Sequence, residues 1–202
     1  RSSYAHARIK SIDLTKALAY PGVKGAVTWE DIPPAQEKWE DVPAVEMKFL
    51  AVTVLAKDKV LFKGHPIAAI AAINPHVAEE ALSLINVDYE ILPPVMDGVS
   101  SAKVGAPQLH EDMTTKIMGE DTGVLSNIAN HHQLYKGDVT KGFKDADVVV
   151  EHEYSTASVH QGYLEPQNAT ALWNADGKIT IWTSNQGPLV VRKATAQLLG
   201  LP

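Results

Sequence analysis

The residues most able to do chemistry are the polar side chains that follow a strand-like run late in the chain. Residues 179–182 alternate β-branched and aromatic side chains, which predicts a strand, and Thr183-Ser184-Asn185-Gln186 ends it. Pro188 suits the first turn of a helix, because that position needs no N–H donor. Gln186 is thus predicted between a strand end and a helix N-terminus, where unpaired N–H groups attract anionic or oxo groups. Because such junctions occur in most α/β proteins, a simple turn is the alternative interpretation.

A second polar segment, His160-Gln161-Gly162-Tyr163-Leu164-Glu165-Pro166, follows a predicted strand and precedes the hairpin that carries Gln186. It collects hydrogen-bonding side chains beside a glycine, which lets backbone approach closely. One interpretation is a ligand-binding loop. The other is a tight loop whose single carboxylate is satisfied by backbone N–H groups.

Other kinds of catalytic site are disfavoured by the sequence. His131-His132 are adjacent and so do not share a face, and no third ligand follows at a metal-like spacing, so a solvent-exposed pair is the better interpretation. Neither a Gly-x-Gly-x-x-Gly loop nor a P-loop is present, and no Gly-x-Ser-x-Gly elbow places a nucleophile. We therefore disfavour nucleotide enzymes of those types, and we expect no residue of this chain to ligate a metal directly.

The composition is that of an ordinary globular protein and disfavours several partners. The 202 residues are 45% apolar and 21% charged, with a formal net charge of -6 and no cysteine. The acidic balance gives no basic surface for nucleic acid or an anionic membrane, and no apolar run is long enough to span a bilayer. Without cysteine the chain can hold neither a disulfide nor an iron–sulfur cluster, which fits a cytoplasmic location.

The first half of the chain predicts an α/β or α+β domain that ends near Gly98. A short helix is predicted at residues 16–20, and strands are predicted at residues 5–12, 23–28, 50–55, 59–62 and 86–91. The apolar run 67–73 lacks alternation and predicts a strand buried on both faces. Asn74-Pro75 predicts a helix start, with Glu79-Glu80 near the positive end of its dipole. Residues 30–47, rich in proline and charge, are predicted to form an exposed loop.

The second half has fewer regular patterns. Residues 99–132 show little periodicity and are interpreted as a linker over the surface. Residues 148–157 alternate and predict a strand, and residues 170–173 are predicted to pair with 178–183 across an Asp-Gly turn. A helix that begins at Pro188 is predicted to end at Gly200. A strand and helix with no following strand indicate a piece of a longer protein.

A series of short motifs runs in order along the whole chain and resembles a known family. The motifs are Tyr4-Ala5-His6-Ala7-Arg8, Pro21-Gly22-Val23, Gly64-His65-Pro66-Ile67, Val87-Asp88-Tyr89-Glu90-Ile91-Leu92-Pro93, Gly137-Asp138, residues 160–166 and Thr183-Ser184-Asn185-Gln186-Gly187-Pro188. Their order and spacing resemble the molybdenum-binding large subunit of the xanthine dehydrogenase, aldehyde oxidase and carbon monoxide dehydrogenase family.

The resemblance implies an α+β fold in three parts. These are an α/β-hammerhead domain at residues 1–98, a linker at 99–133 and the N-terminal part of a molybdopterin-binding domain at 134–202. It implies molybdenum carried by molybdopterin, of the cytosine dinucleotide or a related type. It also implies iron–sulfur and FAD partner domains or subunits, with the parent enzyme assembled as a dimer of heterotrimers or a similar complex.

The resemblance also gives roles to single residues. Gln186 matches the glutamine that lies against the oxo or hydroxo ligand of molybdenum, and Gly187 beside it matches a cofactor-binding position. Asn185 stands where the family usually has threonine. His160 and Glu165 match the loop before the hairpin and are expected to support the residues that touch the cofactor. A neutral amide suits the role of Gln186, because it donates to an oxo group without changing the charge of the site.

The function implied for the parent protein is oxidation of an aldehyde, a xanthine-like N-heterocycle or carbon monoxide with water as the oxygen source. Reduction of 4-hydroxybenzoyl-CoA is a further activity found in the family. The family's glycine-rich cofactor loop and its base glutamate would lie beyond residue 202, so this piece alone is expected to be inactive. The alternative is a non-catalytic module that acts as a cofactor scaffold or in subunit interaction.

Overall fold

The computed structural model describes residues 1–34 and 47–201 and divides the chain into two compact units. Unit 1 comprises residues 1–132 together with 193–202, and unit 2 comprises residues 133–192. Most of the loop predicted at residues 30–47 lies outside the described residues. The part of it that is described begins with a short 3₁₀ helix at Trp29–Asp31.

Helices and strands alternate irregularly along the described residues, which confirms the α+β class. The helices are α1 Thr15–Leu18, α2 Met47–Val54, α3 Pro75–Leu82, α4 Gly98–Ser101, α5 Val139–Asp145 and α6 Pro188–Leu198. The strands are β1 Ala7–Asp13, β2 Val23–Val27, β3 Lys59–Val60, β4 Ala69–Ala72, β5 Asn86–Ile91, β6 Thr114–Ile117, β7 Glu120–Leu125, β8 Asn130–His131, β9 Ala169–Trp173 and β10 Ile179–Thr183. Among the described residues no helix has the length and apolar character needed to cross a membrane.

The core of unit 1 forms around β1, which pairs with β3 on one side and β5 on the other, both antiparallel. Ala7 lies opposite Val60 in one pairing and opposite Ile91 in the other. Ala7, Ala56, Val60 and Ile67 form the buried cluster, and partly buried side chains of β1 and β5 pack against it. Five of the nine buried apolar residues described are alanines, so this core is built largely from small side chains.

A second pairing, of β2 with β4, carries the helix α3. Asn74 caps this helix, because its Oδ1 accepts a hydrogen bond from the Val77 N–H at 2.9 Å, and Pro75 occupies the first position, as predicted. Gly22 precedes β2 with a φ of 95°, and a Cβ there would lie 2.9 Å from Cδ1 of Ile73. Both the backbone conformation and the close approach therefore require glycine.

Three predictions for unit 1 are wrong in detail. Residues 50–55 lie in or next to the helix α2, because a short apolar run does not by itself distinguish a strand from a buried helix. The run 67–73 is extended only at Ala69–Ala72 and is not buried on both faces, since β4 alternates exposed and half-buried residues and Ile73 is 61% exposed. Glu79-Glu80 lie beyond the first turn of α3, which contains no acidic residue.

Residues 99–132 are not structureless. They contain the end of α4 and the three-stranded sheet β7-β6-β8, in which β6 pairs antiparallel with β7 and parallel with β8. Met118 and Gly119 turn the chain between β6 and β7 with φ values of 53° and 91°. Methionine is an unusual residue at positive φ, so the sequence carried no common turn signal here. Whether this segment serves as a linker, and where the domains begin and end, stays a prediction.

Residues 108–112 contact β1, α2 and β3 through charged side chains. The carboxylate of Glu111 lies 3.2 Å from both Nη2 of Arg8 and Nζ of Lys59, and Asp112 lies 2.8 Å from Nζ of Lys48. Lys59 also donates to the Gln108 carbonyl at 3.2 Å. Its ammonium group is the main cause that lowers the pKa of Glu111, with Arg8 contributing in the same direction.

His65 is completely buried in unit 1 and is held as the neutral imidazole. Its Nδ1 accepts from the Leu61 N–H at 3.1 Å, so Nε2 carries the proton and donates to the Val52 carbonyl at 2.7 Å. The ring stacks on Phe62 with centroids 4.3 Å apart. Burial lowers the pKa of His65, opposed by the hydrogen bond to Val52.

Unit 2 is organised around the hairpin of β9 and β10, whose pairing confirms the prediction from the Asp-Gly turn. Gly177 in that turn has a φ of 85°, which explains the glycine. The strand predicted at residues 148–157 is absent from the structure, and these residues do not pair with any described strand. Alternation favours a strand, but a strand also needs a neighbour for its backbone hydrogen bonds.

Candidate functional site

Gln186 lies in the four-residue turn between β10 and α6, as the sequence predicts. The strand ends at Thr183 and the helix begins at Pro188, so rigid elements lie on both sides of the turn. The Gln186 side chain is exposed and makes no hydrogen bond within the described residues. Its amide is therefore free to bind a ligand as a donor or an acceptor.

Asn185 forms hydrogen bonds with the residues two positions before it and two positions after it. Its Oδ1 accepts from the Gly187 N–H at 3.0 Å, and its Nδ2 donates to the Thr183 carbonyl at 3.3 Å. The Gly187 carbonyl accepts from the Val191 N–H at 3.0 Å and so starts the hydrogen bonding of α6. The side chain of Asn185 thus bonds to the backbone at both ends of the turn, and its bond with Gly187 spans Gln186.

Glu165 lies at the same turn, because its Oε1 accepts from the Ser184 hydroxyl at 2.9 Å. The neighbouring Thr183 hydroxyl donates to the Asn168 carbonyl at 3.0 Å. Residues 165–168 and the end of β10 are therefore joined by two side-chain hydrogen bonds. The sequence placed Glu165 near Gln186 but did not identify Ser184 or Asn168 as the residues that connect the two segments.

His160 makes local contacts instead. Its Nδ1 accepts from the Gly162 N–H at 3.1 Å, and its ring lies 5.1 Å from the ring of Tyr163. Gly162 has a φ of 67°, so the glycine in this loop is required by the backbone. Among the described residues the structure shows no bond between His160 and the turn at Gln186, and its supporting role stays a prediction.

Gly187 is predicted to contact the cofactor. In the structure its backbone N–H already makes a hydrogen bond within the chain. Its N–H donates to Asn185, so that donor is not open to a ligand in this conformation. A Cβ at this position would lie 3.6 Å from Cβ of Val190, an ordinary van der Waals contact. The surrounding atoms of this chain would therefore accommodate a side chain at position 187. The contact of Gly187 with a cofactor stays a prediction.

An open groove in unit 2 lies apart from these residues. Its volume is about 440 Å³, and it is lined by Val139, Gly142 and Phe143 of α5 and by Ala146 and Val148–Val150. It contains none of Gln186, Glu165 or His160. The residues that the structure describes contain no group of three or more His, Cys, Asp or Glu side chains able to hold a metal ion.

Comparison with sequence profiles matches both parts of the chain. Residues 1–93 match the aldehyde oxidase and xanthine dehydrogenase a/b hammerhead domain, and residues 122–202 match the molybdopterin cofactor-binding domain. The chain belongs to the xanthine dehydrogenase and aldehyde oxidase family. This confirms the resemblance, and the second match begins inside the segment predicted as a linker.

Relatives of known activity support the same family. The carbon monoxide dehydrogenase large chain of Afipia carboxidovorans is 34% identical over 100% of this chain and 25% of its own length. The nicotinate dehydrogenase large molybdopterin subunit of Eubacterium barkeri is 32% identical over 100% of this chain and 43% of its own. The chain thus spans between a quarter and a half of the length of these relatives.

A solved structure shares the fold. The reconstituted carbon monoxide dehydrogenase from Oligotropha carboxidovorans superimposes with a TM-score of 0.76 and 32% identity, over 100% of this chain and 25% of that one. A TM-score of this size over the whole chain shows that the hammerhead fold and the start of the cofactor-binding fold are the same in both proteins.

Proposed function

We propose that this chain is part of the large subunit of a molybdenum-dependent oxidoreductase. The parent protein oxidises an aldehyde, an N-heterocycle or carbon monoxide and takes the added oxygen from water. The match of residues 122–202 to a molybdopterin cofactor-binding domain supports this proposal, as do the dehydrogenase names of the relatives.

The single observation that carries the site is the unpaired amide of Gln186 at the end of β10. A neutral N–H donor on a rigid support fits a cofactor that presents oxo groups, whereas a carboxylate there would repel them. The one carboxylate bonded to this turn, that of Glu165, already accepts from Ser184. The residues present therefore fit a molybdopterin cofactor.

We assign each residue a part in binding that cofactor. When bound, molybdopterin would supply the molybdenum ion, with its Lewis acidity and its capacity to accept electrons. Gln186 would donate a hydrogen bond to an oxo group of the cofactor and so orient it. Gly187 would contact the cofactor, while Glu165 and His160 would support the loops that carry these residues.

The remaining proposals concern the whole protein. The cofactor is of the cytosine dinucleotide type, and electrons leave through iron–sulfur and FAD domains or subunits of a dimer of heterotrimers or a similar complex. The protein works in the cytoplasm, and the net charge of -6 on this segment disfavours nucleic acid as its partner. The segment alone is inactive.

Metal analysis of the natural full-length protein tests the proposal. Purification from the source should give near-stoichiometric molybdenum, and mass spectrometry of the co-purifying chains should find iron–sulfur and flavin proteins. A metal-free protein without such chains would contradict the proposal and favour a scaffold or subunit-interaction module.

A further inference from the structure

We propose that Ser184 and Asn185 are positioning residues for Gln186. Together with Glu165 they form a set of three side chains, here called the Gln186 clamp, which fixes the turn that presents the amide. The inference rests on the proposed function, because it assumes that the Gln186 amide binds the cofactor. It extends that function to two residues whose side chains point back into this chain.

The first part of the clamp is local. Asn185 makes two hydrogen bonds within the turn: its Nδ2 donates to the Thr183 carbonyl at 3.3 Å, and its Oδ1 accepts from the Gly187 N–H at 3.0 Å. The second bond spans Gln186, so rotation of the Gln186 backbone would break it, and the first bond fixes the Asn185 side chain that makes it. Without Asn185, the Gly187 N–H would have no partner inside the turn.

The second part of the clamp connects two segments. The Ser184 hydroxyl donates to Glu165 at 2.9 Å, and the adjacent Thr183 hydroxyl donates to Asn168 at 3.0 Å. Asn168 in turn donates from Nδ2 to the Pro166 carbonyl at 3.2 Å, which stiffens the segment that receives these bonds. Two consecutive residues before Gln186 are therefore fixed on one neighbouring loop.

Among the four polar residues 183–186, the clamp leaves one side chain without a hydrogen-bond partner in the described part of the chain. Thr183, Ser184 and Asn185 each use their polar atoms inside the chain, and only Gln186 has no partner among the described residues. A hydrogen-bond donor acts on a reacting group only when it is held within a fraction of an ångström of the right place. The clamp supplies that restriction without touching the cofactor.

Substitutions in the full-length, metal-loaded parent enzyme test the inference. Ser184→Ala and Asn185→Ala should each lower kcat about threefold to tenfold, the loss expected from one or two hydrogen bonds, with KM and molybdenum content unchanged. Glu165→Ala should match Ser184→Ala, and the double variant should be no worse than either single one, because both remove the same bond. The electron paramagnetic resonance spectrum of Mo(V) should change in these variants, since the donor beside the metal is displaced.

Two variants separate positioning from a general effect on structure. Glu165→Gln should restore most of kcat, because its amide oxygen accepts from Ser184 as the carboxylate does. Asp176→Ala is the matched control, since Asp176 accepts from the Lys178 N–H at 3.1 Å at the opposite end of the same hairpin, and it should leave kcat unchanged.

The results distinguish failure of the clamp from failure of the proposed function. If Gln186→Ala lowers kcat while Ser184→Ala and Asn185→Ala do not, the clamp is overturned and the role of Gln186 stands. If the clamp variants lose molybdenum in proportion to activity, their role is structural and the inference is also overturned. If Gln186→Ala itself has normal kcat, the proposed role of Gln186 fails and the clamp fails with it.

Discussion

In unit 1 the side chains of Val60 and His65 are 0% exposed, whereas in unit 2 the apolar Leu164 and Tyr154 are 100% and 85% exposed. Every side chain that the structure describes as buried belongs to unit 1. Unit 2 is ordered instead by the pairing of β9 with β10 and by hydrogen bonds between neighbouring segments. Substitutions in unit 1 should therefore act on stability, and substitutions at the turn of Gln186 should act on chemistry.

The largest effect on stability is expected from a charge placed in the core of unit 1. Val60→Asp would bury an unpaired carboxylate and lower the free energy of unfolding by on the order of 4 kcal/mol or more. Ile70→Asp is the matched variant, because Ile70 is only half-buried in β4, and it should cost less. Urea titrations followed by circular dichroism measure both. A Val60→Asp protein as stable as the original would show that this cluster is not the core.

The largest effect on chemistry is expected at Gln186. In the full-length enzyme Gln186→Ala should lower turnover about a hundredfold and leave the folded structure and the molybdenum content intact, because a positioned donor near developing charge is lost. Gln167→Ala, which removes another exposed amide of unit 2, is the control and should keep normal turnover. Steady-state kinetics with metal analysis measures the difference. Equal turnover in both variants would contradict the assignment.

Two histidines of unit 1, the buried His65 and the half-buried His110, should make its stability depend on pH. Burial lowers the pKa of His65 and of His110, so below about pH 6.5, the usual value in an unfolded chain, the unfolded state binds more protons than the folded one. The stabilisation is complete above that pH and is lost as the pH falls toward the folded pKa. Each histidine can contribute a slope of at most about 1.4 kcal/mol per pH unit.

Chemical denaturation at a series of pH values between 5 and 8 tests this dependence, the window being set by the usual histidine pKa of about 6.5. His65→Gln should be less stable at pH 7 but should show a weaker loss on acidification, because one of the two groups is gone. His76→Gln, at an exposed position of α3, serves as the control and should keep the original slope. A slope that His65→Gln leaves unchanged would refute the role of His65.

The smallest expected effect compares two glycines of unit 2. Gly177 has a φ of 85° and Gly142 lies inside α5, and a Cβ at either would meet no atom within 4 Å. Gly177→Ala should lower the free energy of unfolding by about 1 kcal/mol through backbone strain alone. Gly142→Ala should raise it by up to about 1 kcal/mol, because alanine favours a helix. Thermal unfolding of both variants measures the sign, and a shared sign would contradict the explanation.

Local signals in the sequence predicted the elements that need no distant partner. Asn74-Pro75 predicted the start of α3, and the Asp-Gly turn predicted the hairpin of unit 2, since both depend on backbone chemistry within a few residues. The helix α2 was missed because its apolar run fits two structures. The strand expected at residues 148–157 was wrong because strand formation depends on a partner, which alternation alone does not specify.

The candidate site was also predictable in part, because some of its features depend only on residues that are close together in the sequence. The strand end, the position of Gln186 and the helix start at Pro188 follow from the order of residues. The bond between Ser184 and Glu165 joins residues 19 positions apart, and a hydroxyl and a carboxylate at that separation carry no pattern that marks them as partners. Only the folded chain shows that Glu165 binds this turn and that His160 does not.

The many alanines in the core of unit 1 restrict how this part of the protein can vary. Ala7, Ala17, Ala51, Ala56 and Ala81 are all 0% exposed, so each of these positions has space for little more than one methyl group. Trimming such a side chain to glycine removes few contacts, whereas enlarging it forces neighbouring backbone segments apart. A saturation library at these five positions should therefore recover glycine and serine and lose valine, leucine and phenylalanine. Variation at these positions should be limited by volume more than by polarity.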